Sequence, residues 1–351
     1  MKLNKEIEQI TNKYAKTKNF SGTALVKRGE ELIYSGAFGY AHRGFKIANN
    51  IDTKFDIASI TKTFTAVAIM QLVDQGKINL QASITKYVDL KGTRIGDKVK
   101  IFHLLTYSSG IADDADEEAG ESYEAIFKNK PTYSVRNTID FIPQFAYKEP
   151  VFEPGTGVRY NNCAFVLLGL AIESVTGMSY REYVDKNIFK AVNMQHTKFC
   201  AMDDVNENTA EGYNPVEDKE GNIISWRKNI FSYPPIGSPD GGAYSTVGDL
   251  DIFFRALKDG KLLSKKSTEE ILKPHVLQKE LPDKTLMTGY AFFFRLDKNK
   301  RVYRISKEGE NVGVQAMFGY YPEIDTTSAI LANQPCELWN MYYEIEALLI
   351  K

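Results

Sequence analysis

The sequence predicts an α/β fold in which helices flank one antiparallel sheet that is assembled from both ends of the chain. Near the N-terminus, two strand-like runs flank "KRGEE", which is typical of a hairpin with a glycine-containing turn. Near the C-terminus, short turns separate four strand-like runs, "GYAFFFRLD", "VYRISKEG", "VQAMFGYYPE" and "TSAILANQP", and such connections favour antiparallel pairing. The middle of the chain has helical patterns. We therefore expect a helical subdomain over about residues 61–239, inserted between sheet-bearing parts at about 1–60 and 240–351.

Amphipathic helices are predicted at both termini. In "MKLNKEIEQITNKYAKTKNF", apolar side chains fall on one side of a helix, at Leu3, Ile7, Ile10 and Tyr14. The chain closes with "CELWNMYYEIEALLI", which has the same kind of pattern. Two internal helices have clear stop signals, because Gly76 and Gly260 each follow an apolar periodic run and glycine is favoured just past a helix end.

Composition narrows the classes of function. The 351 residues carry a net charge of −1, with 43% hydrophobic and 25% charged residues, which is the profile of an ordinary globular protein. This balance gives no electrostatic reason to expect nucleic acid or an anionic membrane as a partner. No run reaches the roughly 20 apolar residues that a membrane span needs. The N-terminus lacks the apolar core of a signal peptide, so the sequence as written predicts a cytoplasmic protein; a secreted or periplasmic protein without its signal would look the same.

The three cysteines, Cys163, Cys200 and Cys336, are far apart and form no C-x-x-C pair. An odd number with this spacing argues against a disulfide framework and against a zinc site built from cysteines. We expect all three thiols to be reduced and packed inside the protein, with no metal bound to them.

Ser59 and Lys62 form an S-x-x-K pair at the head of a run that is otherwise almost purely apolar. Residues three apart on a helix share a face, so the lysine amine is expected beside the serine oxygen. Burial lowers the pKa of a lysine, and a neutral amine is able to take the proton of a serine nucleophile. The alternative is an N-cap serine and a lysine that extends out of the core. The helix is apolar on all sides, and the chain has only four histidines and no G-x-S-x-G motif, which favours the catalytic interpretation over this alternative and over a Ser-His-Asp site.

Tyr160 and Asn162 come just before a second apolar helix, in "EPGTGVRYNNCAFVLLGLAIESVTG". Nearby lysine cations lower the pKa of a phenol, so Tyr160 is a candidate to share the base role. The amide of Asn162 is able to bind both a lysine and a substrate carbonyl. Taken alone, Y-x-N is more often a core aromatic residue followed by an N-cap.

Lys307 and Gly309 lie at the end of a predicted strand, in "RISKEGENVGVQ". A glycine in a strand lets another backbone approach closely, which would allow a substrate to add as an extra strand along that edge. K-x-G alone carries almost no information, and its weight comes from the two motifs before it.

The three motifs, in this order, resemble those of the serine β-lactamase and penicillin-binding protein superfamily, in particular its class C β-lactamase-related branch. That branch also holds DD-peptidases, D-aminopeptidases and esterases. The resemblance covers about residues 21–335 and includes "FDIASITKTFTA", "HLLTYSSGI" and "GGAYSTVGDL". It implies a single catalytic domain of the β-lactamase/transpeptidase-like fold over residues 1–351, with the active site in a cleft beside the helical subdomain.

The resemblance also implies roles for the residues of the motifs. Ser59 would be the nucleophile that forms an acyl-enzyme, and Lys62 and Tyr160 would share the general base and acid roles. Four residues would bind substrate: Asn162 by positioning it, Lys307 by its charge, and Gly309 and Glu310 at the strand edge, where the N–H groups of Ser59 and Glu310 would form the oxyanion hole. No metal or organic cofactor is expected.

The expected activity is that of a serine hydrolase on an ester or amide, such as a β-lactam, a D-amino acid peptide or a carboxylic ester. The partner would be a small-molecule or peptide substrate. The alternative is a penicillin-binding or sensor-type protein that is acylated without efficient turnover. The motifs are shared by all of these activities, so they do not discriminate among the substrates.

The third motif departs from the family pattern, which is K-T-G or H-x-G followed by a small residue. Here it reads "KEGE": Glu308 replaces a hydroxyl residue that commonly helps to bind a substrate carboxylate, and Glu310 replaces the small residue. Two like charges ~4 Å apart repel by about 1 kcal/mol in water and by about 4 kcal/mol at intermediate dielectric. Recognition of an anionic substrate is therefore disfavoured, unless Glu308 pairs with a surface base and points away.

Two further segments are candidate cleft walls. Asp113–Glu124 contains seven acidic residues and no basic one, and it is either a solvated loop or an overhang that disfavours anionic substrates. The aromatic-rich segment Tyr213–Gly242 is either part of the core or a second wall, with Trp226, Phe231 and Tyr233 as its candidate side chains.

Overall fold

A computed structural model describes residues 2–116, 119–128 and 130–350. In this part of the chain the helices are α1 Lys2–Thr17, α2 Thr61–Asp74, α3 Ile101–Leu105, α4 Ile142–Phe145, α5 Cys163–Thr176, α6 Tyr180–Val184, α7 Val247–Lys258, α8 Lys265–Ile271 and α9 Leu338–Leu349. The strands are β1 Gly22–Arg28, β2 Glu31–Phe38, β3 Tyr40–His42, β4 Ile47–Ala48, β5 Phe55–Asp56, β6 Tyr213–Glu217, β7 Ile223–Lys228, β8 Tyr244–Ser245, β9 Val276–Glu280, β10 Thr285–Thr288, β11 Phe293–Leu296, β12 Val302–Asn311, β13 Val314–Tyr321 and β14 Thr326–Ala332.

An antiparallel sheet of eight strands runs through the described residues in the order β2-β1-β14-β13-β12-β11-β10-β9. Both ends of the chain meet within it, since Gly22 of β1 pairs with Ala332 of β14. This arrangement confirms the predicted fold class. The sequence patterns missed β9 and β10, because β9 is exposed along most of its length and so lacks the alternation that marks a strand.

Helices cover both faces of the sheet. Side chains alternate along β14, so Ile330 packs in one cluster with residues of α1 and α9, such as Ile7 and Met341. Its neighbour Leu331 points the other way, into a larger cluster that includes Phe64 of α2 and the residues of α7. The result is a sheet buried between two helical layers, and α2 lies within one of them.

The predicted helix boundaries hold at the two glycine stops. α2 ends at Asp74 and Gly76 follows with φ +69°, while Gly260 follows α7 with φ +72°. The helical pattern of the middle of the chain is wrong in two places: "YEAIFKN" contains a 3₁₀ turn at Tyr123–Lys128, and "VRNTIDFIPQF" contains a 3₁₀ turn followed by the four-residue α4. Tyr123–Lys128 has no buried residue, so no apolar face stabilises a longer helix there.

The middle of the chain is not entirely helical, because β6 and β7 form a hairpin within it. The division into a sheet-bearing part and an inserted helical subdomain stays a prediction. Within the described residues, no single helix is long and apolar enough to cross a membrane; the one consecutive pair that reaches such a length together, Cys163–Thr176 with Tyr180–Val192, is bent by 78°.

Candidate active site

Ser59 lies in a 3₁₀ turn, Ala58–Ile60, directly before α2. Two short paired strands, β5 and β8, lead into this turn, and the N–H of Ile57 donates to the carbonyl of Ala243 at 2.9 Å. Ala58 then takes the left-handed conformation, with φ +42°, which costs a residue with a side chain on the order of 1 kcal/mol. The strain falls on the residue immediately before Ser59, and the pairing of β5 with β8 holds it in place.

Lys62 lies in the first turn of α2 and is completely buried. Its Nζ lies 3.0 Å from Ser59 Oγ and 2.7 Å from Asn162 Oδ1, and it also donates to the backbone carbonyl of Asp240. The alternative in which the lysine extends out of the core is therefore wrong. Burial of α2 on nearly all sides agrees with the all-round apolar pattern of its sequence.

Tyr160 directs its phenol at the same serine. Its hydroxyl lies 2.6 Å from Ser59 Oγ, and its ring stacks on that of Tyr107 with the centroids 5.1 Å apart. Lys62 Nζ lies 5.0 Å from the centroid of the Tyr160 ring, and Lys307 Nζ lies 4.6 Å from it. The phenol thus lies next to two lysine amino groups and the serine, the neighbours that the second motif predicts.

Asn162 occupies the N-cap position of α5 without capping it, since its side chain makes no cap hydrogen bond. The carboxylate of Asp113 does so instead, accepting the N–H groups of Asn162 at 2.8 Å and Cys163 at 2.9 Å. Because Asp113 satisfies these helix-end donors, the amide of Asn162 remains for Lys62. Desolvation raises the pKa of Asp113, and the two N–H donors oppose this rise.

Lys307 and Gly309 lie on β12 beyond the end of its neighbour β11, which pairs with β12 only as far as Ser306. Lys307 is completely buried, with Nζ 4.5 Å from the ring centroid of Phe293. A Cβ on Gly309 would lie 2.3 Å from the carbonyl oxygen of Ile57 and 2.9 Å from the nitrogen of Ser59, so only glycine fits. The predicted close backbone approach is confirmed, and the backbone concerned is the nucleophile turn.

Glu308 and Glu310 alternate with these residues on β12, and both side chains are exposed. Among the described residues neither carboxylate forms an ion pair, so the alternative in which Glu308 pairs with a surface base is not observed. Glu310 Oε1 accepts a hydrogen bond from Gln315 Nε2 at 3.1 Å. Two exposed carboxylates therefore lie beside a buried lysine on one strand.

A cavity of about 510 Å³ opens at Ser59, and all the residues of the three motifs except Lys62 and Gly309 contribute to its lining. Tyr123 of the acidic segment and Tyr233 of the aromatic segment form part of its walls. The two segments are joined, since Ser232 Oγ donates to Glu124 Oε1 at 2.9 Å.

The aromatic segment lines the cavity with Tyr233 and with the residues that follow it, 234–238 and 240–242, rather than with its other two candidate side chains. Trp226 does not line the cavity, because its ring lies 3.7 Å from the guanidinium of Arg43, and Phe231 is 74% exposed. Of the seven acidic residues in Asp113–Glu124, Glu117 and Glu118 lie outside the described residues. Among those described, Asp113 serves as the helix cap.

The sequence patterns missed Asp56, which comes two residues before the strained Ala58. Its Oδ1 accepts the N–H of Ala58 at 2.7 Å. Burial raises the pKa of Asp56 to about 6, and the hydrogen bonds from Ala58 and from the hydroxyl of Tyr233 limit the rise. The signal available in the sequence was a carboxylate immediately before the S-x-x-K motif.

The sequence patterns also missed Asp240, which holds Lys62 through its backbone carbonyl while its carboxylate accepts from Ser238 Oγ at 2.6 Å. It lies in the turn "SPDGG", where Gly242 has φ +86°. Every residue has a backbone carbonyl, so a motif of side chains does not mark the one that accepts from Lys62. Only the glycine-rich turn indicated this position.

One cluster has the residue types of a metal site. Ligand atoms of Asp113, Asp114 and Cys163 lie within 4.8 Å of one another. Both oxygens of Asp113 already accept N–H groups, and burial together with the charge of Asp113 raises the pKa of Asp114 well above its usual range. A proton held on Asp114 fits these contacts better than a cation does.

Comparison with known proteins agrees with this geometry. A family model described as Beta-lactamase matches residues 7–347. The chain belongs to the Beta-lactamase family. It is 30% identical over 270 residues to "Putative penicillin-binding protein PbpX" of Bacillus subtilis (strain 168), and the match covers 76% of this chain but only 62% of that protein.

Solved structures of similar proteins share the fold. The penicillin binding protein from Bacillus halodurans is 34% identical and has a TM-score of 0.89. The match covers 97% of this chain and 99% of that one. The D-amino acid amidase from Ochrobactrum anthropi SV3 is 21% identical, covers 99% of this chain and 98% of its own, and has a TM-score of 0.79, which shows a common fold. Membership of the family supports an activity of the serine hydrolase type.

Proposed function

We propose that the protein is a serine hydrolase that cleaves an ester or amide through an acyl-enzyme on Ser59. The observation that carries the proposal is the convergence of Lys62 Nζ, at 3.0 Å, and the Tyr160 hydroxyl, at 2.6 Å, on Ser59 Oγ at the wall of the cavity. A serine hydroxyl needs such a base to become a nucleophile. Membership of the Beta-lactamase family agrees with this chemistry.

The contacts of Lys62 suit a residue that exchanges a proton with Ser59. An ammonium has three donors, whereas a neutral amine has two donors and one lone pair. Ser59 Oγ, Asn162 Oδ1 and the carbonyl of Asp240 all accept from Nζ, which matches the three donors of an ammonium. When Lys62 is neutral, Asn162 and Asp240 take its two N–H groups and its lone pair faces Ser59 Oγ, which is the arrangement that a general base requires.

The reaction then balances in two steps. Ser59 Oγ forms a bond to the substrate carbonyl carbon while its proton passes to Lys62 or to ionised Tyr160. The bond to the alkoxide or amine leaving group breaks, and the proton is transferred to that group. Water next attacks the acyl carbon and passes a proton to the same pair of residues. The bond from that carbon to Ser59 Oγ then breaks, Oγ takes the proton, and the acid is released.

The negative charge that develops on the carbonyl oxygen needs N–H donors. β12 and β13 are joined by two residues, so Asn311 and Val314 form a hydrogen-bonded pair that closes the hairpin. Pairing alternates along the strand, so Gly309 and Lys307 also bond to β13, while the N–H groups of Glu308 and Glu310 point to the opposite edge. With the N–H of Ser59, that of Glu310 is our proposed oxyanion hole.

The names of similar proteins indicate which substrates to compare. One relative is named a penicillin-binding protein and one neighbour a D-amino acid amidase, so β-lactams, D-amino acid amides and simple esters are the compounds to compare. All three would acylate the same serine, and they differ in the groups that contact the walls of the cavity.

Mass spectrometry tests the proposal. Protein treated with a penicillin, a p-nitrophenyl ester or a D-amino acid amide is expected to gain the acyl mass on the peptide that contains Ser59. Ser59→Ala is expected to lose the adduct, while Ser35→Ala, which changes an exposed serine on β2, is expected to keep it. Folded protein that acquires no adduct from any of the three compounds would refute the proposal. An adduct that forms in a burst and then persists would assign the sensor-type alternative.

A further inference from the structure

We propose that Glu308 and Glu310 make the open end of the cavity select substrates that carry a positively charged group. This inference rests on the proposed acyl-enzyme chemistry at Ser59. Side chains alternate along β12, so Gly309 packs against the nucleophile turn, and Lys307 shares its face of the strand. Glu308 and Glu310 project from the opposite face, and both line the same cavity. A substrate bound along this strand edge would contact both sets of residues.

The charges of the cavity wall favour a cation. Among the described residues that line it, four are acidic, Asp56, Asp240, Glu308 and Glu310, and one is basic, Lys307. Lys307 is completely buried against aromatic rings, whereas the two glutamates are exposed. A substrate that enters therefore meets carboxylates before it meets the lysine, which disfavours an anion and attracts a cation.

Two aromatic rings of α9 also line the cavity. Trp339 and Tyr343 both line it, and they share one face of α9 because they are four residues apart. The faces of such rings attract ammonium and guanidinium groups. The chain already shows this with its own Arg295, whose guanidinium lies 5.7 Å from the Tyr343 ring centroid. Carboxylates combined with rings form a suitable environment for an ammonium group.

Arg295 lies beside the Tyr343 ring, but among the described residues no cation pairs with the two carboxylates. Neither glutamate forms an ion pair among the described residues, and Gln315, which is neutral, donates to Glu310 Oε1. That hydrogen bond fixes one carboxylate oxygen and leaves the other for a ligand. The two carboxylates are therefore available to a substrate, whereas a structural role would have paired them with a cation of the protein.

Two p-nitrophenyl esters of the same shape test the inference. The acyl chain of one ends in a trimethylammonium group, and that of the other ends in a tert-butyl group on the same three-carbon spacer. The quantity measured is the ratio of kcat/KM for the two esters, or of the acylation rates if turnover is slow, after subtraction of the rate with Ser59→Ala. In the wild type at low salt, we expect the cationic ester to react about 10- to 100-fold faster, since two nearby carboxylates each favour it.

The matched variants separate specificity from chemistry. The double variant E308Q/E310Q is expected to lower the ratio to less than about 3, while E31Q, which neutralises an exposed glutamate on β2, keeps the wild-type ratio. A wild-type ratio of about 1 or below, or a ratio that survives E308Q/E310Q, overturns the inference and leaves the hydrolase proposal intact. If neither ester acylates Ser59, the proposed function fails and the inference fails with it.

Discussion

The wall beside Ser59 and the open end of the cavity use the same strand in opposite ways. Lys307 and Gly309 of β12 are buried and approach the nucleophile turn, whereas Glu308 and Glu310 are exposed. Groups around Ser59 are held by several contacts each, and the carboxylates at the open end by few. In our proposal, the alternation of one strand therefore separates the residues of the reaction centre from those that select the substrate. Changes at the two sets should have different consequences.

The largest effect is expected at the reaction centre. Lys62→Met fills the same buried space with an apolar chain and removes the base, so we expect acylation of Ser59 to slow by ~10²–10⁴-fold. The variant also leaves Asn162 Oδ1 without its lysine partner and lowers stability by about 1–3 kcal/mol. Acylation kinetics and urea unfolding measure the two effects separately. Retention of wild-type acylation by a folded variant would exclude Lys62 from the mechanism.

Asp56, beside the reaction centre, is expected to make the stability of the protein depend on pH. Its pKa is about 6 in the folded protein against an ordinary 3.8, so the folded state holds the proton more tightly. The free energy of unfolding is therefore greatest below the ordinary pKa and decreases as the pH rises through this window, by up to about 3 kcal/mol.

Urea unfolding between pH 4 and pH 8 tests this prediction, the range being about two units either side of 6. Asp56→Asn is expected to flatten the decrease, because asparagine does not titrate. Asp52→Asn, at an exposed carboxylate nearby, is expected to keep it. Equal slopes in the wild type and in Asp56→Asn would contradict the assignment.

Gly309→Ala tests the close packing of β12 on the nucleophile turn. The added methyl would lie 2.3 Å from the carbonyl oxygen of Ile57, so one of the two backbones has to move. We expect a loss of about 1–3 kcal/mol in stability and slower acylation. Gly96→Ala is the matched control, because nothing lies within 4 Å of a Cβ there. If the two variants are equally stable and equally active, the tight approach has no functional weight.

The smallest effect is expected at the open end of the cavity. Since Glu308 and Glu310 are exposed, salt screens their attraction for a cationic substrate. Raising the ionic strength from 0.01 M to 1 M shortens the screening length from about 30 Å to about 3 Å. We expect kcat/KM for the cationic ester to decline and that for the neutral ester to change little. A parallel response of both esters would contradict a role for these carboxylates in substrate choice.

The sequence motifs indicated the side chains around Ser59 better than the residues that hold those side chains in place. The motifs named Ser59, Lys62, Tyr160 and Lys307, and the structure brings these side chains together, because the proposed chemistry needs them at fixed spacings and so leaves a motif. Asp240 was missed since it acts through a carbonyl, which every residue has. Asp113 was placed in an acidic loop, yet it caps α5, because a cap depends on which segment folds back onto the helix end.

The fold shows the same division. The apolar periodicity of α2 and the glycines after α2 and α7 fixed those helices closely, since these are local effects. The edge strand β9 and the short turns near residue 123 were wrong or missing, because tertiary contacts rather than local pattern decide them. The acidic character of "KEGE" followed from the sequence, but its place on one cavity wall with Trp339 required the folded structure.

The pairing of β1 with β14 has a consequence for the order of folding. Gly22 pairs with Ala332, which lies 310 positions later (332 − 22), so the middle of the sheet cannot form until the ribosome has added Ala332. Until then the first hairpin has an unpaired edge, and the apolar helix behind Ser59 has no sheet to cover it. Such distant pairings are slow to close. We expect a nascent chain that depends on a holdase-type chaperone, and a protein whose hydrolytic centre forms only at the last step of folding.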